Sequence, residues 1–294
     1  MTIYGTEKQG GCLLKIRGSL EGLKSAEKRI ALYILDNPAE VISLTINQLA
    51  ECCQSSYATV NRFCKKMGYS GYKELKSYLL GDVSSHQQDM SDVLNVTITP
   101  NITFEEISDS VRELAFKTLS DTFSILDIGM LEYVTDAILS AKQTLFIGTG
   151  NSGFSARYAY SKFFRIGLPC AVELDPTFRK MKVSLVQEGE IVFAISSSGR
   201  SAEILECAKI AKHNGATVIS LSDFNFSPLS KIADLNLYTT PRNVNAFSNI
   251  DMPLTIGQFA IIDILHLCCC KKIGESAINT FSKTKDAADS EKSY

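Results

Sequence analysis

Two short segments of this 294-residue sequence concentrate groups that bind anions. Gly148-Thr149-Gly150-Asn151-Ser152-Gly153 sets three glycines among hydroxyl and amide side chains, and Ser196-Ser197-Ser198-Gly199-Arg200-Ser201 holds four serines in six residues. Each follows a short apolar run and opens a stretch with helical periodicity. The backbone N–H groups of such a loop gather at a helix N-terminus, where the potential is positive. Glycine lets the backbone approach an anion closely, and serine hydroxyls add short neutral donors. The pattern suits a phosphate monoester gripped from two sides. The first loop would supply Gly150, Asn151, Ser152 and Gly153. The second would supply Ser196, Ser197, Ser198, Gly199 and Ser201, with Glu203 following in the next helical turn, where the helix dipole also favours an acid. Gly148, Gly150 and Gly153 also match G-x-G-x-x-G, and Glu173 or Asp175 lies about twenty residues on, where a dinucleotide site needs an acid for the ribose. A dinucleotide fold, however, does not call for a serine-rich loop at a second strand end.

A different chemistry is written near the N-terminus. Thr45-Ile46-Asn47-Gln48 fits a capping box, and Ile46, Leu49, Ala50 and Cys53 then fall on one helical face. Gln54-Ser55-Ser56 is a polar break. A second helix is predicted from about Tyr57 to Met67, with Gly68 ending it. Val60, Phe63, Cys64 and Met67 share its apolar face, while Ala58, Asn61, Arg62 and Lys65 share the other, flanked by Thr59 and Lys66. Two helices joined by a tight turn, the second showing amide and cationic groups outward, form the helix-turn-helix pattern. Asn and Arg reach base edges, and Lys and Ser/Thr suit phosphates. Residues 55–76 carry five basic groups and one acid, enough for a phosphate-contacting surface. Ser56, Tyr57, Thr59, Asn61, Arg62, Lys65 and Lys66 are the candidate DNA contacts.

The elements that must position these groups follow from periodicity. Residues 25–80 read as helices; Ser25 can cap the first, and Asp36-Asn37-Pro38 stops it. Residues 83–100 are rich in Ser, Gln and Asp and read as a linker. Helical stretches at 102–122 and 130–141 follow. Apolar strands at 144–147, 170–174, 191–195, 217–221 and 235–238 then alternate with helices, notably 153–166, 201–213 and 255–270. That rhythm predicts a parallel sheet with helices on both faces, whose ligands bind beyond the C-terminal strand ends. The organisation is thus 1–82, a helical domain; 83–101, a linker; 102–281, an α/β domain; and 282–294, a polar, frayed tail.

Composition excludes several classes. Lys+Arg is 30 against Asp+Glu 32, net −2, so the chain is not a uniformly basic nucleic-acid coat. The charge is uneven: residues 1–82 carry 11 basic and 8 acidic groups, and the remainder 19 and 24. The apolar run at 254–270 is interrupted by Gln258, Asp263 and His266 and is too short and too polar to span a bilayer. No basic segment followed by an apolar one opens the chain, so no secretory leader is expected. Nine cysteines without C-x-x-C spacing read as reduced thiols in a cytoplasmic protein, with no metal site. Cys268-Cys269-Cys270 point about 100° apart on a helix and do not converge on one ion.

With these motifs in place, the sequence resembles the MurR/RpiR family of bacterial transcriptional regulators over nearly its whole length. The resemblance rests on residues 25–31 (SAEKRIA), on residues 56–72 with their A-T-V-x-R-F stretch, on both loops, and on residues 227–234. It implies an N-terminal all-α helix-turn-helix domain and a C-terminal α/β SIS (sugar isomerase) domain with a five-stranded parallel sheet flanked by helices. It further implies a homodimer or homotetramer that binds double-stranded operator DNA, senses a phosphosugar through both loops and uses no cofactor. One departure stands out: relatives often carry a glutamate after the last strand, whereas residues 240–251 contain none, leaving Asn245 or Asn249 to reach a sugar. Two alternatives share part of the pattern, a sugar-phosphate isomerase with an appended helical domain and a nicotinamide-sensing redox regulator. An isomerase needs a general base. His86 in the linker, His213 at a helix end and His266 in an apolar helix are poor candidates, and the serine-rich loop disfavours the nicotinamide reading.

Overall fold

A computed structural model describes residues 11–86, 97–224, 227–240 and 255–290. They form two compact units: one holds the chain up to Ile125 with Phe224 and Thr240, the other Leu126–Asp223, Ser227–Thr239 and 255–290.

The first unit is helical: α1 (Cys12–Ser19), α2 (Ser25–Asp36), α3 (Pro38–Ser43), α4 (Ile46–Cys52), α5 (Tyr57–Lys66), α6 (Tyr72–His86) and α7 (Phe104–Ser124). Its core gathers Ile16, Ile30, Ile34, Val41, Leu49, Val60, Phe63, Leu75 and Leu79, all fully buried. These positions recur at the three- and four-residue spacing that makes a helix amphipathic. Ser25 is the first residue of α2 rather than its cap; the cap is Lys24, whose N–H donates to Glu27. Asp82, at the expected domain boundary, is buried inside α6 and accepts from the N–H groups of Gly11 and Leu13 at 2.7 Å each, tying α6 to the start of α1. The helix therefore runs past residue 82, and α7, expected in the second domain, groups with the first unit.

The second unit is α8 (Ile128–Ser140), β1 (Thr144–Gly148), α9 (Asn151–Arg165), β2 (Cys170–Glu173), α10 (Pro176–Ser184), β3 (Ile191–Ile195), α11 (Ala202–His213), β4 (Thr217–Asp223), α12 (Pro228–Ile232), β5 (Leu235–Thr239), α13 (Ile256–Ile273) and α14 (Glu275–Ser290). The sheet order is β2-β1-β3-β4-β5, every pair parallel. β1 and β3 are buried at every residue, as strands covered on both faces must be. One face packs Phe146, Phe193 and Ile219 against α8, α9 and α13; the other packs Leu145, Val192 and Val218 against α11. The polar tail departs from expectation: residues 282–290 continue α14 rather than fraying, and Ala277 of that helix is buried.

Candidate functional site

In an open parallel sheet the connections leaving the two strands at the reversal of order run to opposite faces and leave a crevice beyond the C-terminal strand ends. Here the reversal lies between β1 and β3, and both anion-binding candidates leave those two strands. Gly150 caps α9 at φ +54 and ψ −130, a backbone state that side chains strain to adopt, and α9 has no side-chain cap. Nor does α11, which starts after Ser201. A Ser, Thr or Asp side chain caps α4, α5, α7, α8, α10 and α12, while α1, α3 and α13, like α9 and α11, have none. The N–H groups of a first turn have no partner within the helix. The two helices at the reversal thus present unsatisfied donors to the crevice, together with the positive ends of their dipoles.

The loops are closely packed. At Gly148 an added Cβ would overlap the carbonyl oxygen of Ser152 and lie 2.7 Å from its carbonyl carbon. Gly199, at φ +62, packs against Ser227, whose Cβ would be 2.5 Å away. Ser196 is buried, with its N–H donating to the Leu221 carbonyl at 3.1 Å; the Asp223 N–H donates to the Ser197 carbonyl at 2.9 Å. Ser152 is buried and accepts from the Ser197 N–H at 3.3 Å, so the loops touch directly. Thr149 and Ser201 hydroxyls lie 3.4 Å apart. Asn151, Ser198 and Gly150 face solvent, Ser197 and Ser201 are half-buried, and the Ser198 hydroxyl accepts from the Arg200 N–H.

Two residues that sequence reasoning passed over complete the site. Gln258, 3% exposed in the first turn of α13, accepts from the Ser155 hydroxyl at 2.6 Å and donates to Ser197 Oγ at 3.0 Å. Arg179 of α10 is fully buried, donating to the Gly148 carbonyl at 2.8 Å and to Glu203 at 2.6 Å. Glu203, expected among the ligand contacts, is thus held by Arg179. Gln258 was visible only as a polar interruption in an apolar helix, and Arg179 only as one cation on a short helix. Residues 241–254, with Asn245 and Asn249, lie outside the described residues, and Glu173 pairs with Lys182 at 3.0 Å.

The helical unit arranges its candidates as the spacing predicts. Thr45 caps α4 in a reciprocal box with Gln48. The turn into α5 takes Gln54 through φ +47 and is secured by Arg29, which donates to the Cys53 and Gln54 carbonyls. Ser56 caps α5 by accepting from the Thr59 N–H, and the two hydroxyls are 3.0 Å apart. Val60, Phe63, Cys64 and Met67 are buried. Tyr57, Ala58, Arg62 and Lys65 are exposed; Thr59 and Asn61 are half-buried. Lys66 departs from the outward set: it donates to buried Glu27 at 2.8 Å and to the Gly22 carbonyl. Arg62 lies 3.7 Å from the same carboxylate but stays 67% exposed. A groove lined by Thr45, Tyr57, Asn61, Lys73 and Lys76 runs beside α5.

Among the described residues no group of three or more His, Cys, Asp or Glu side chains could hold a metal ion, and Cys270 Sγ lies 3.7 Å from His266 Nε2. His266 is buried edge-on to Phe163, and burial pushes the Cys269 thiol up to about 12. No helix among the described residues is long and apolar enough to cross a membrane.

A helix-turn-helix model of the rpiR family matches residues 10–86, and an SIS-domain model matches residues 137–262. An HTH-type transcriptional regulator of Caldanaerobacter subterraneus subsp. tengcongensis is 30% identical, over 93% of this chain and 95% of its own. Bacillus subtilis YbbH, another HTH-type transcriptional regulator, is 31% identical over 95% and 98%. The chain belongs to the RpiR family of HTH-type transcriptional regulators. HexR of Pseudomonas aeruginosa is 31% identical to this RpiR-family regulator over 86% and 87%. Among solved structures, Vibrio vulnificus NanR complexed with ManNAc-6P superposes with a TM-score of 0.58 at 26% identity, over 94% of this chain and 97% of that one. The sugar isomerase domain of a Sphaerobacter thermophilus RpiR transcription factor shares the fold, with a TM-score of 0.56 at 17% identity, over 62% and 99%.

Proposed function

We propose that this RpiR-family regulator binds operator DNA through α5 and senses a phosphosugar in the crevice between β1 and β3, with ligand binding changing its operator affinity. The observation that carries the reading is the pair of helices without side-chain caps, α9 and α11, opening side by side where the sheet order reverses. A phosphate there receives N–H groups from Asn151 and Ser152 and from the start of α11, with hydroxyls of Ser152, Ser196, Ser197, Ser198 and Ser201 around it. The complex of NanR with ManNAc-6P supports a phosphorylated sugar as the ligand class. At the DNA, Asn61 and Arg62 read bases, while Ser56, Tyr57, Thr59 and Lys65 contact phosphates. Lys66 acts from behind, through Glu27.

In this reading α1–α6 bind DNA and the sheet unit from Leu126 onward senses the ligand, working in the cytoplasm as a homodimer or homotetramer on a two-fold operator. Catalysis is disfavoured. Glu203, two residues past the second loop, is tied to Arg179, His213 ends α11, and His266 is packed in α13. Ligand chemistry is tested by thermal unfolding with a panel of phosphosugars, their free sugars, inorganic phosphate and NADH. Ligand at about 100 times its Kd adds about 2.7 kcal/mol. A shift with one phosphosugar and not its free sugar is expected. A shift with NADH alone overturns the reading.

A further inference from the structure

Arg179 reaches both loops with one side chain. It projects from α10, whose cap Asp175 accepts from the N–H groups of Thr177 and Phe178. Nη1 donates at 2.8 Å to the carbonyl of Gly148, the last residue of β1, and Nη2 donates at 2.6 Å to Glu203 in the first turn of α11. A planar fork with fixed donor directions therefore sets the spacing between the base of loop 148–153 and the helix behind loop 196–201. The arginine side chain is 1% exposed and Glu203 55%. Arg179 Nε is buried with no hydrogen-bond partner among the described residues. Lys180 repeats the link from α10 to α11, pairing with Glu206 at 2.5 Å.

These two charges stand behind loops whose own groups are neutral apart from the exposed Arg200. Removing a buried guanidinium from water is costly, and one carboxylate with two carbonyls, that of Gly148 and, at 3.5 Å, that of Leu174, still leaves Nε unsatisfied. A site that needed only rigid spacing could be built with apolar packing. A site that must hold an anion gains from a cation kept close but out of direct reach.

We propose that Arg179 positions the two anion-binding loops, and that Glu203 is its counter-charge rather than a contact to the sugar. The inference rests on the phosphosugar reading above and gives that site its control of affinity. A phosphate at the start of α11 meets attraction from the guanidinium and repulsion from a carboxylate in the same helical turn. Neutralising Glu203 therefore tightens phosphate binding. If Glu203 instead held sugar hydroxyls, the same change would weaken binding, and only for ligands that carry a sugar.

The test uses the full chain, calorimetric titration with glucose 6-phosphate and with inorganic phosphate, and hydrogen exchange of the unliganded protein. Glu203→Gln is expected to bind both ligands about fivefold more tightly, the effect of one unit charge acting through a half-solvated path. Arg179→Met is expected to lose at least about tenfold on both ligands, the size of a hydrogen bond to a charged group, and to exchange faster at residues 148–153 and 202–205. Arg179→Lys keeps the charge without the fork, so it retains more affinity than Arg179→Met while exchange stays fast. A Glu203→Gln protein weakened toward glucose 6-phosphate but not toward phosphate overturns the counter-charge role. Unchanged exchange in both arginine variants overturns the positioning role. If the unaltered protein binds neither ligand, the exchange measurement decides the role of Arg179, and the phosphosugar reading is decided by the thermal panel.

Discussion

Gly148→Ala puts the closest backbone approach in the site under load. The residue ends β1 in a buried strand, and its φ is not in the left-handed region, so alanine meets no intrinsic backbone penalty there. The obstacle is the first turn of α9. The new methyl would overlap the Ser152 carbonyl oxygen, lie 2.7 Å from its carbon and 3.0 Å from the Gly153 nitrogen, where ordinary contact begins at 3.4 Å. The helix start must retreat by about 1 Å, or the strand end must bend. Overpacking of this kind costs about 1–3 kcal/mol. For a chain of this size each kcal/mol lowers the Tm by about 2–4 °C, so a fall of about 2–12 °C is expected. The N–H groups of Asn151 and Ser152 move with the helix, and losing one hydrogen bond to a phosphate, about 1.5–3 kcal/mol, weakens binding by about 10- to 100-fold. Calorimetry with a phosphosugar and a thermal scan on the same sample give both quantities. Gly68→Ala serves as a control: it sits at φ +87 with nothing within 4 Å, so it strains only the helical unit and should leave phosphosugar affinity alone. A Gly148→Ala protein with unchanged Tm and affinity would refute the close-approach reasoning.

Three further changes address other parts of the molecule. Burial works against the Glu27 carboxylate, but hydrogen bonds from Lys66 and the Lys24 N–H outweigh it and hold the group below its ordinary 4.5. The stability from Glu27 is therefore present above about pH 4.5 and lost as pH falls through the lower folded value. Glu27→Gln should destabilise the helical unit by about 1–3 kcal/mol at neutral pH and flatten that acid limb in urea unfolding; an unchanged limb contradicts the assignment. Arg62→Ala should weaken operator binding by about 1–3 kcal/mol with no change in the thermal transition, read by fluorescence anisotropy; equal binding removes Arg62 from the interface. Gln258→Met fills the space but leaves the Ser155 and Ser197 hydroxyls without their partner, so phosphosugar affinity should fall about three- to tenfold; full affinity would show that the loop holds its shape without α13.

Much of the fold was legible because its signals are local. The strand at 191–195 and the helix capped at Thr45 follow from apolar period and cap chemistry in windows of ten residues. The two loops were legible for a similar reason: glycine and serine between a strand and a helix have few other uses. The parts that were not legible depend on distant partners. Asp82 looks like a surface acid beside a linker until the start of α1 closes on it, and Arg179 like one more cation on a short helix until Glu203 and Gly148 converge on it. Lys66 belongs to the outward face by spacing alone, and a buried glutamate on another helix turns it inward. The polar composition of residues 282–290 suggested fraying, but helix propensity and the anchor at Ala277 extend α14 through them.

Ligand-dependent DNA binding is best measured by anisotropy of a labelled duplex, selected by the full-length regulator from a randomised pool. The duplex is titrated with and without a saturating phosphosugar from the thermal panel. The expected result is a change in operator affinity of about 5- to 150-fold, the range of a coupling of 1–3 kcal/mol, with no change when Ser196 and Ser198 are both replaced by alanine. An affinity that is the same with and without every phosphosugar, or a response that survives the double substitution, would contradict a sensor built at the β1/β3 crevice.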